Sequence, residues 1–112
     1  MKQYYELYIS EGLKNKKEEI LAKLKKRKPL LNKYLLVLAH NEQNHLEIFD
    51  SILLQQKVFA QEDLFLVGIA DGYPNALELV ERIAQEVYDK TGGTDIRGYL
   101  LDKQKRMEES VG

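Results

Sequence analysis

Two short, continuously apolar runs constrain the fold of this chain more than any other feature. They occupy residues 34–39 and 64–70, and polar residues bound both. An apolar run of this length without alternation is typical of a β-strand that is buried on both faces. Leucine and alanine also favour helices, so a helix is the alternative for the first run. The sequence therefore predicts buried strands at about 34–39 and 64–70.

Segments with helical spacing of apolar residues surround these runs. They predict helices at about 13–28, 44–59, 74–91 and 95–107. Pro29 follows the first helix, and Pro74 suits the first position of the third because its missing N–H would have no partner there. Residues 4–9 fit strand and helix spacing equally well, so their conformation stays open.

The order of these elements predicts an α/β fold. Two buried strands separated by a helix imply a βαβ unit with parallel pairing and a right-handed crossover. We expect a single small domain over residues 1–112, with two or three layers, two or three parallel strands and four helices. A sheet of so few strands leaves edges and apolar helix faces uncovered, so we also predict a homodimer.

Several classes of function are excluded by what the sequence lacks. There is no cysteine, which excludes disulfides, thiolate metal sites and a cysteine nucleophile. The glycine-rich phosphate-loop and dinucleotide-binding motifs and the serine-nucleophile motif are also missing. His40 and His45 stand five residues apart, which does not suit ligands on one helix face. We expect no metal, no cofactor and no catalytic residue.

The expected cellular compartment follows from two kinds of segment that the sequence lacks. No apolar run approaches the ~20 residues needed to cross a bilayer, and the first residues lack the apolar core of a signal peptide. We therefore expect a cytoplasmic protein that does not bind membranes.

The charge is unevenly distributed along the chain. The net charge is −1, yet residues 14–33 hold nine Lys or Arg and two Glu, whereas residues 34–112 hold seven Lys or Arg and fourteen Asp or Glu. A basic helix of this kind either docks on an acidic surface or contacts phosphates. The candidate nucleic-acid contacts are Lys23, Lys25, Lys26, Arg27 and Lys28. We expect only weak nucleic-acid binding, because the whole chain is not basic and carries no recognition motif.

The loops that follow the two predicted strands are the best candidate for a ligand site. Ligands of open parallel sheets bind outside the carboxyl ends of the strands, and each loop leads into a helix N-terminus that favours an anion such as phosphate. The candidate ligand-binding residues are His40, Asn41, Asn44, Gly68, Asp71, Gly72 and Tyr73. Asp71 and Glu42 would repel an anion, and the alternative is that the same residues only form turns and helix caps.

Parts of the chain resemble a pattern found in small bacterial proteins of unassigned function. The first part is the apolar run at 34–39 followed by Asn41, Glu42, Asn44 and Leu46 to Ile48. The second runs from Val67 through Gly72 and Tyr73 to Val80 and continues to Thr91 and Gly92. The resemblance spans residues 34–101 and implies a small bacterial α/β domain. It implies no activity, substrate or site residue.

These observations lead to one expected function and two alternatives. We expect a non-enzymatic domain that acts through protein–protein contacts as a homo-oligomer. The first alternative is a domain that binds or transforms a small, phosphate-bearing molecule with the two strand-end loops. The weaker alternative is a nucleic-acid accessory protein that uses the basic helix.

Overall fold

A computed structural model of the chain describes residues 2–38, 46–55 and 64–111. The described residues form a mixed α/β fold with four strands, three helices and a separate 3-10 turn at Ser51–Gln55. The strands are β1 (Lys2–Ile9), β2 (Lys33–Leu38), β3 (Glu47–Asp50) and β4 (Phe65–Asp71). The helices are α1 (Lys17–Lys25), which continues a 3-10 turn at Glu11–Lys16, α2 (Tyr73–Thr91) and α3 (Ile96–Val111).

The four strands form one sheet in the order β1-β4-β2-β3. β1 and β4 are parallel, while β2 is antiparallel to both β4 and β3. The predicted parallel pairing of the two apolar strands is therefore wrong, and the sheet holds one parallel pair. The physical reason is that β2 is followed by an antiparallel neighbour, β3, where the prediction required a crossover helix.

The central position of β2 and β4 explains why both read as continuous apolar runs. Each lies between two other strands, and inward-facing and outward-facing side chains alike are buried. These side chains join buried residues of α1, α2 and α3 in one hydrophobic cluster. α2 contributes Ala76, Leu79, Ile83 and Val87 to it. Burial on both faces thus reflects a central place in the sheet and carries no information about strand direction.

β1 is a strand, which settles the alternative left open for residues 4–9. Its pairing with β4 is irregular: Gln3 lies opposite Leu66 and Tyr8 lies opposite Gly68, so five steps along β1 match two along β4. β1 therefore carries three extra residues between these pairs. A Cβ atom on Gly68 would lie 2.8 Å from the carbonyl oxygen of Tyr8, so this glycine allows β1 to approach β4 closely.

The predicted helix at 44–59 is wrong at Glu47–Asp50, which forms strand β3. β3 pairs with β2 from Tyr34 opposite Asp50 to Val37 opposite Glu47. Ile48 and Phe49 are good strand formers, and the cross-strand partners outweigh the helical spacing of the same apolar residues. Residues 44, 45 and 56–59 of the predicted helix lie outside the described residues.

The other predicted helices are present with small differences in their ends. The basic helix ends at Lys25 and not near residue 28, and Arg27 adopts a left-handed conformation (φ 55°) beyond it. α2 matches the prediction, and α3 extends to Val111. The described residues thus hold three helices where four were predicted. None of these helices has the length and apolar composition needed to span a membrane.

Candidate functional site

The strands that precede the two predicted ligand loops end at opposite sides of the sheet. Because β2 and β4 are antiparallel, Leu38 lies opposite Phe65, while Asp71 lies opposite Lys33. The carboxyl end of β2 is therefore about 20 Å from that of β4, at ~3.3 Å per residue. His40, Asn41 and Asn44 follow β2 and lie outside the described residues. The premise that joined them to Asp71, Gly72 and Tyr73 is wrong.

The polar groups of Asp71 are occupied by the protein itself. Its carboxylate lies 3.2 Å from the Nζ atom of Lys33, and its backbone N–H donates to the hydroxyl of Ser10 at 2.9 Å. Its carbonyl oxygen accepts a hydrogen bond from the side-chain amide of Asn75 at 2.6 Å. These bonds fix the junction between β4 and α2 and favour a structural role for Asp71.

Gly72 and Tyr73 complete this junction. Gly72 has φ +90° and ψ 154°, a backbone conformation that is essentially restricted to glycine. Its N–H donates to the carbonyl oxygen of Asn32 at 2.9 Å. The ring of Tyr73 packs edge-on against Tyr34, with the ring centroids 5.6 Å apart. The glycine is therefore required by the turn, whether or not a ligand approaches it.

The basic segment lies at the C-terminal end of α1 and beyond it. Lys23 pairs with Glu19 at 3.3 Å, one helical turn away. Lys25, Lys26, Arg27 and Lys28 are exposed. The exposed Lys23–Glu19 pair contributes little to stability, about 0.3–0.5 kcal/mol. These exposed cations form a positively charged end of the helix.

A cluster of polar side chains joins three elements on another part of the surface. The carboxylate oxygen Oε2 of Glu86 on α2 accepts hydrogen bonds from the hydroxyls of Tyr8 at 2.9 Å and Tyr99 at 2.7 Å. The Nζ atom of Lys103 lies 3.8 Å from the same oxygen and 5.3 Å from the ring centroid of Tyr99. We call these four residues the Glu86 cluster. It ties β1, α2 and α3 together.

The tyrosines of the Glu86 cluster are held in their protonated form. Burial, followed by the hydrogen bond to Glu86, raises the pKa of Tyr8 far above its ordinary value. The same two causes raise the pKa of Tyr99. Both hydroxyls are therefore hydrogen-bond donors throughout the neutral range, and the negative charge of Glu86 is balanced within the protein.

A cleft of about 400 Å³ opens beside this cluster, and we call it the β1 cleft. One wall is the irregular part of β1 and the other walls come from the first 3-10 turn, α1, α2 and α3. Its charged lining consists of Lys14, Lys17, Arg82, Lys103, Glu6 and Glu86. The cleft therefore carries four cationic and two anionic side chains. A larger, shallow groove of about 830 Å³ runs along α3 with a mixed lining of both charges and aromatic rings.

The outer face of α2 carries a stripe of exposed apolar side chains. Tyr73 is 48% exposed, Leu77 is 45% exposed and Tyr88 is 59% exposed. The half-buried Val80 and the exposed Ala84 lie between them. At 100° per residue, all five point within an arc of ~80°. This α2 stripe adjoins the buried face of the helix and widens it beyond what the sheet covers.

The Glu86 cluster and the β1 cleft could not be found from sequence spacing. Tyr8 and Glu86 are separated by 78 positions, and only tertiary packing brings them together. The i, i+4 spacing of Tyr99 and Lys103 is a local signal for one contact of the cluster, and the helical spacing of apolar residues in α2 is the signal for the α2 stripe. Within the described ranges, no group of three or more potential metal ligands occurs.

Comparisons with protein-family models, curated proteins and solved structures give no match to this chain. The resemblance to small bacterial proteins therefore stays a prediction. What the chain can do has to be inferred from the α2 stripe and the β1 cleft themselves.

Proposed function

We propose that this protein is a non-enzymatic interaction domain that pairs with a second copy of itself through the α2 stripe. The observation that carries the proposal is the exposure of Tyr73, Leu77 and Tyr88 along one line of a regular helix. Isolated exposed apolar residues are common on protein surfaces, but a contiguous stripe marks an interaction site.

The symmetry of the stripe favours a second copy as the occupant. Tyr73 and Tyr88 are equally far from the midpoint between Val80 and Glu81, and Leu77 and Ala84 are equally far from it as well. If two α2 helices pack antiparallel about this midpoint, each tyrosine faces the other tyrosine of the second copy. Leu77 then faces the small side chain of Ala84. A two-fold interface requires this kind of self-complementary surface.

The expected affinity is modest because the helix is narrow. A helix of 19 residues is ~28 Å long and ~10 Å across. The stripe alone would therefore cover roughly 300 Å² of each copy, whereas a standard interface covers about 800 Å² per partner. Neighbouring side chains have to add area, and we expect a dimer that dissociates in the micromolar range.

Sedimentation equilibrium over a range of protein concentrations tests this proposal. We expect a reversible dimer of the unmodified chain and a monomer after Leu77→Lys, because the new charge would be buried in the interface. The matched control is Leu31→Lys, since Leu31 is 84% exposed and lies off the stripe. A single species with the mass of one chain at about 0.5 mM, well above the micromolar dissociation expected for a small interface, would sink the proposal. Equal effects of the two substitutions would sink it as well.

A further inference from the structure

We infer that the β1 cleft binds a small phosphate-bearing molecule. The cleft lies on a different side of the protein from the α2 stripe, because Arg82 is nine residues from Tyr73 and so points to the opposite side of α2. The inference is therefore independent of the proposed self-association.

The charges of the cleft divide into those that the protein neutralises and those that it does not. Glu86 accepts two tyrosine hydroxyls and lies near Lys103. Lys14 forms an exposed ion pair with Glu11 at 3.0 Å. In the described part of the chain, no ion pair involves Lys17 or Arg82. Two cationic side chains from different helices, Lys17 and Arg82, thus face the cleft outside any ion pair, together with the carboxylate of Glu6.

These two side chains fit a phosphate group by chemistry as well as by charge. A guanidinium group presents paired N–H donors that match two phosphate oxygens, and a lysine ammonium adds a compact positive charge. A phosphate ester carries close to two negative charges at neutral pH, so it can pair with both Lys17 and Arg82. A carboxylate would neutralise only one of them.

The walls of the cleft set the size of the ligand. A volume of about 400 Å³ lies at the lower end of the range for small-molecule sites, ~300–1,000 Å³. β1 supplies Glu6, Leu7, Tyr8 and Ile9 to one wall, and Glu6 and Leu7 belong to its irregular part. Strand irregularities of this kind are frequent beside functional sites, where they redirect side chains. The carboxylate of Glu6 stands at the cleft and disfavours a long polyanion such as nucleic acid.

Titration of the full-length chain by NMR at low salt, with ribose 5-phosphate and inorganic phosphate as probes, tests this inference. We expect amide shifts centred on Tyr8, Lys17 and Arg82, with the sugar phosphate binding more tightly than inorganic phosphate if the cleft also contacts the sugar. Inorganic phosphate binding equally well would assign the site to the phosphate group alone and still support the inference. Shifts centred on residues 23–28 would overturn it.

Matched variants separate a specific site from general attraction to a basic surface. Arg82→Gln should weaken ribose 5-phosphate binding about tenfold or more, and Arg82→Lys should restore only part of it because lysine lacks the paired donors. Lys17→Gln should weaken binding, whereas Lys16→Gln removes the same charge outside the cleft lining and should not. Equal effects of the two lysine variants would overturn the inference.

A competition experiment with an oligonucleotide tests whether the cleft binds a small phosphate-bearing molecule or the phosphates of a nucleic acid. We expect a single-stranded 12-mer to leave the amide of Arg82 unshifted and to compete poorly with ribose 5-phosphate. Displacement of the sugar phosphate by the oligonucleotide at equal phosphate concentration would overturn the assignment to a small molecule. Unchanged melting temperatures of the variants would establish that each remains folded during these measurements.

Discussion

Tyr4 and Tyr8 stack in parallel on β1 with their ring centroids 6.0 Å apart, yet only one of the two hydroxyls is satisfied. The hydroxyl of Tyr8 donates to Glu86 at 2.9 Å. Tyr4 is 1% exposed, and its hydroxyl has no hydrogen-bond partner among the described residues. Two chemically identical groups, four positions apart, therefore contribute to stability with opposite signs.

Replacing each tyrosine by phenylalanine measures this difference. Tyr8→Phe should destabilise the fold by about 1–2 kcal/mol, because it removes a hydrogen bond to a carboxylate. Tyr4→Phe should leave stability unchanged or raise it by up to ~1 kcal/mol, because it removes a buried group without a partner. Denaturant unfolding of the two variants checks both values. A larger loss for Tyr4→Phe than for Tyr8→Phe would contradict the assignment.

The same hydroxyls predict a loss of stability at alkaline pH. Burial raises the pKa of Tyr4 and Tyr8 above the ordinary value of about 10. Burial penalises the ionised hydroxyl in the folded state, so the unfolded chain loses these protons at a lower pH and unfolding is favoured as the pH rises past the unfolded pKa. The free energy of unfolding should therefore fall above pH ~10. Unfolding curves from neutral to alkaline pH measure it.

Absorbance at 295 nm gives an independent reading of those groups. A free tyrosine ionises near pH ~10, and the chain has seven tyrosines. Tyr4, Tyr8 and Tyr99 should ionise later, and the Tyr8→Phe variant should lose one of the late-ionising groups. A single transition that includes every tyrosine of the folded protein would contradict this picture.

Two glycines should be sensitive to substitution for different reasons. Gly72→Ala places a side chain at a positive φ and should destabilise the fold by about 1–3 kcal/mol. Gly68→Ala forces β1 away from β4 and should lower stability by a similar amount, roughly 1–3 kcal/mol. Gly93→Ala is the control, because a Cβ atom there would make only an ordinary contact. Thermal unfolding of the three variants checks the order.

A charge beside the midpoint of the α2 stripe provides a sharper test of self-association. In the antiparallel pairing, the two copies of Glu81 come close together at the midpoint, and like charges disfavour association. Glu81→Gln should therefore strengthen the dimer by about 0.5 kcal/mol, in the range of exposed charge pairs. Glu78→Gln removes an equal charge farther from the stripe and should have less effect. Sedimentation equilibrium that ranks them in the reverse order would contradict the pairing.

The basic segment predicts weak and salt-sensitive nucleic-acid binding. Lys25, Lys26, Arg27 and Lys28 are exposed, and their contacts with phosphates would release counter-ions. We expect nonspecific binding that disappears near ~0.2 M salt. Fluorescence anisotropy with a labelled duplex measures it. Submicromolar affinity for one sequence at physiological salt would favour a nucleic-acid function over protein interaction.

The sequence indicated where the central strands lie but not how they pair. A strand that is buried on both faces appears in the sequence as a continuous apolar run. For this reason β2 and β4 were predicted within one residue of their observed ends. Strand direction depends on the route of the intervening chain, and no local pattern records it. The spacing of Leu46, Ile48 and Phe49 fits a helix as well as a strand. The segment is a strand because it pairs with β2.

The candidate sites show the same division between local and long-range information. The α2 stripe is an instance of the apolar helix faces that we expected a small sheet to leave uncovered, because the residues of one helix face lie in a single stretch of sequence. The Glu86 cluster and the β1 cleft draw single residues from β1, α1, α2 and α3. Such a site has no sequence pattern of its own, so only the folded arrangement reveals it.

The place of β4 between β1 and β2 has a consequence for synthesis on the ribosome. β1 precedes the other described strands in the chain, but the strand beside it is β4, and 55 residues separate Ile9 from Phe65. At ~5–20 residues per second, the nascent β1 waits roughly 3–11 s before its neighbour is translated. Throughout that interval β1 lacks its neighbour in the sheet, whereas β2 and β3 follow each other closely and can already pair. Among the described strands, β1 therefore remains longest without a strand partner during synthesis.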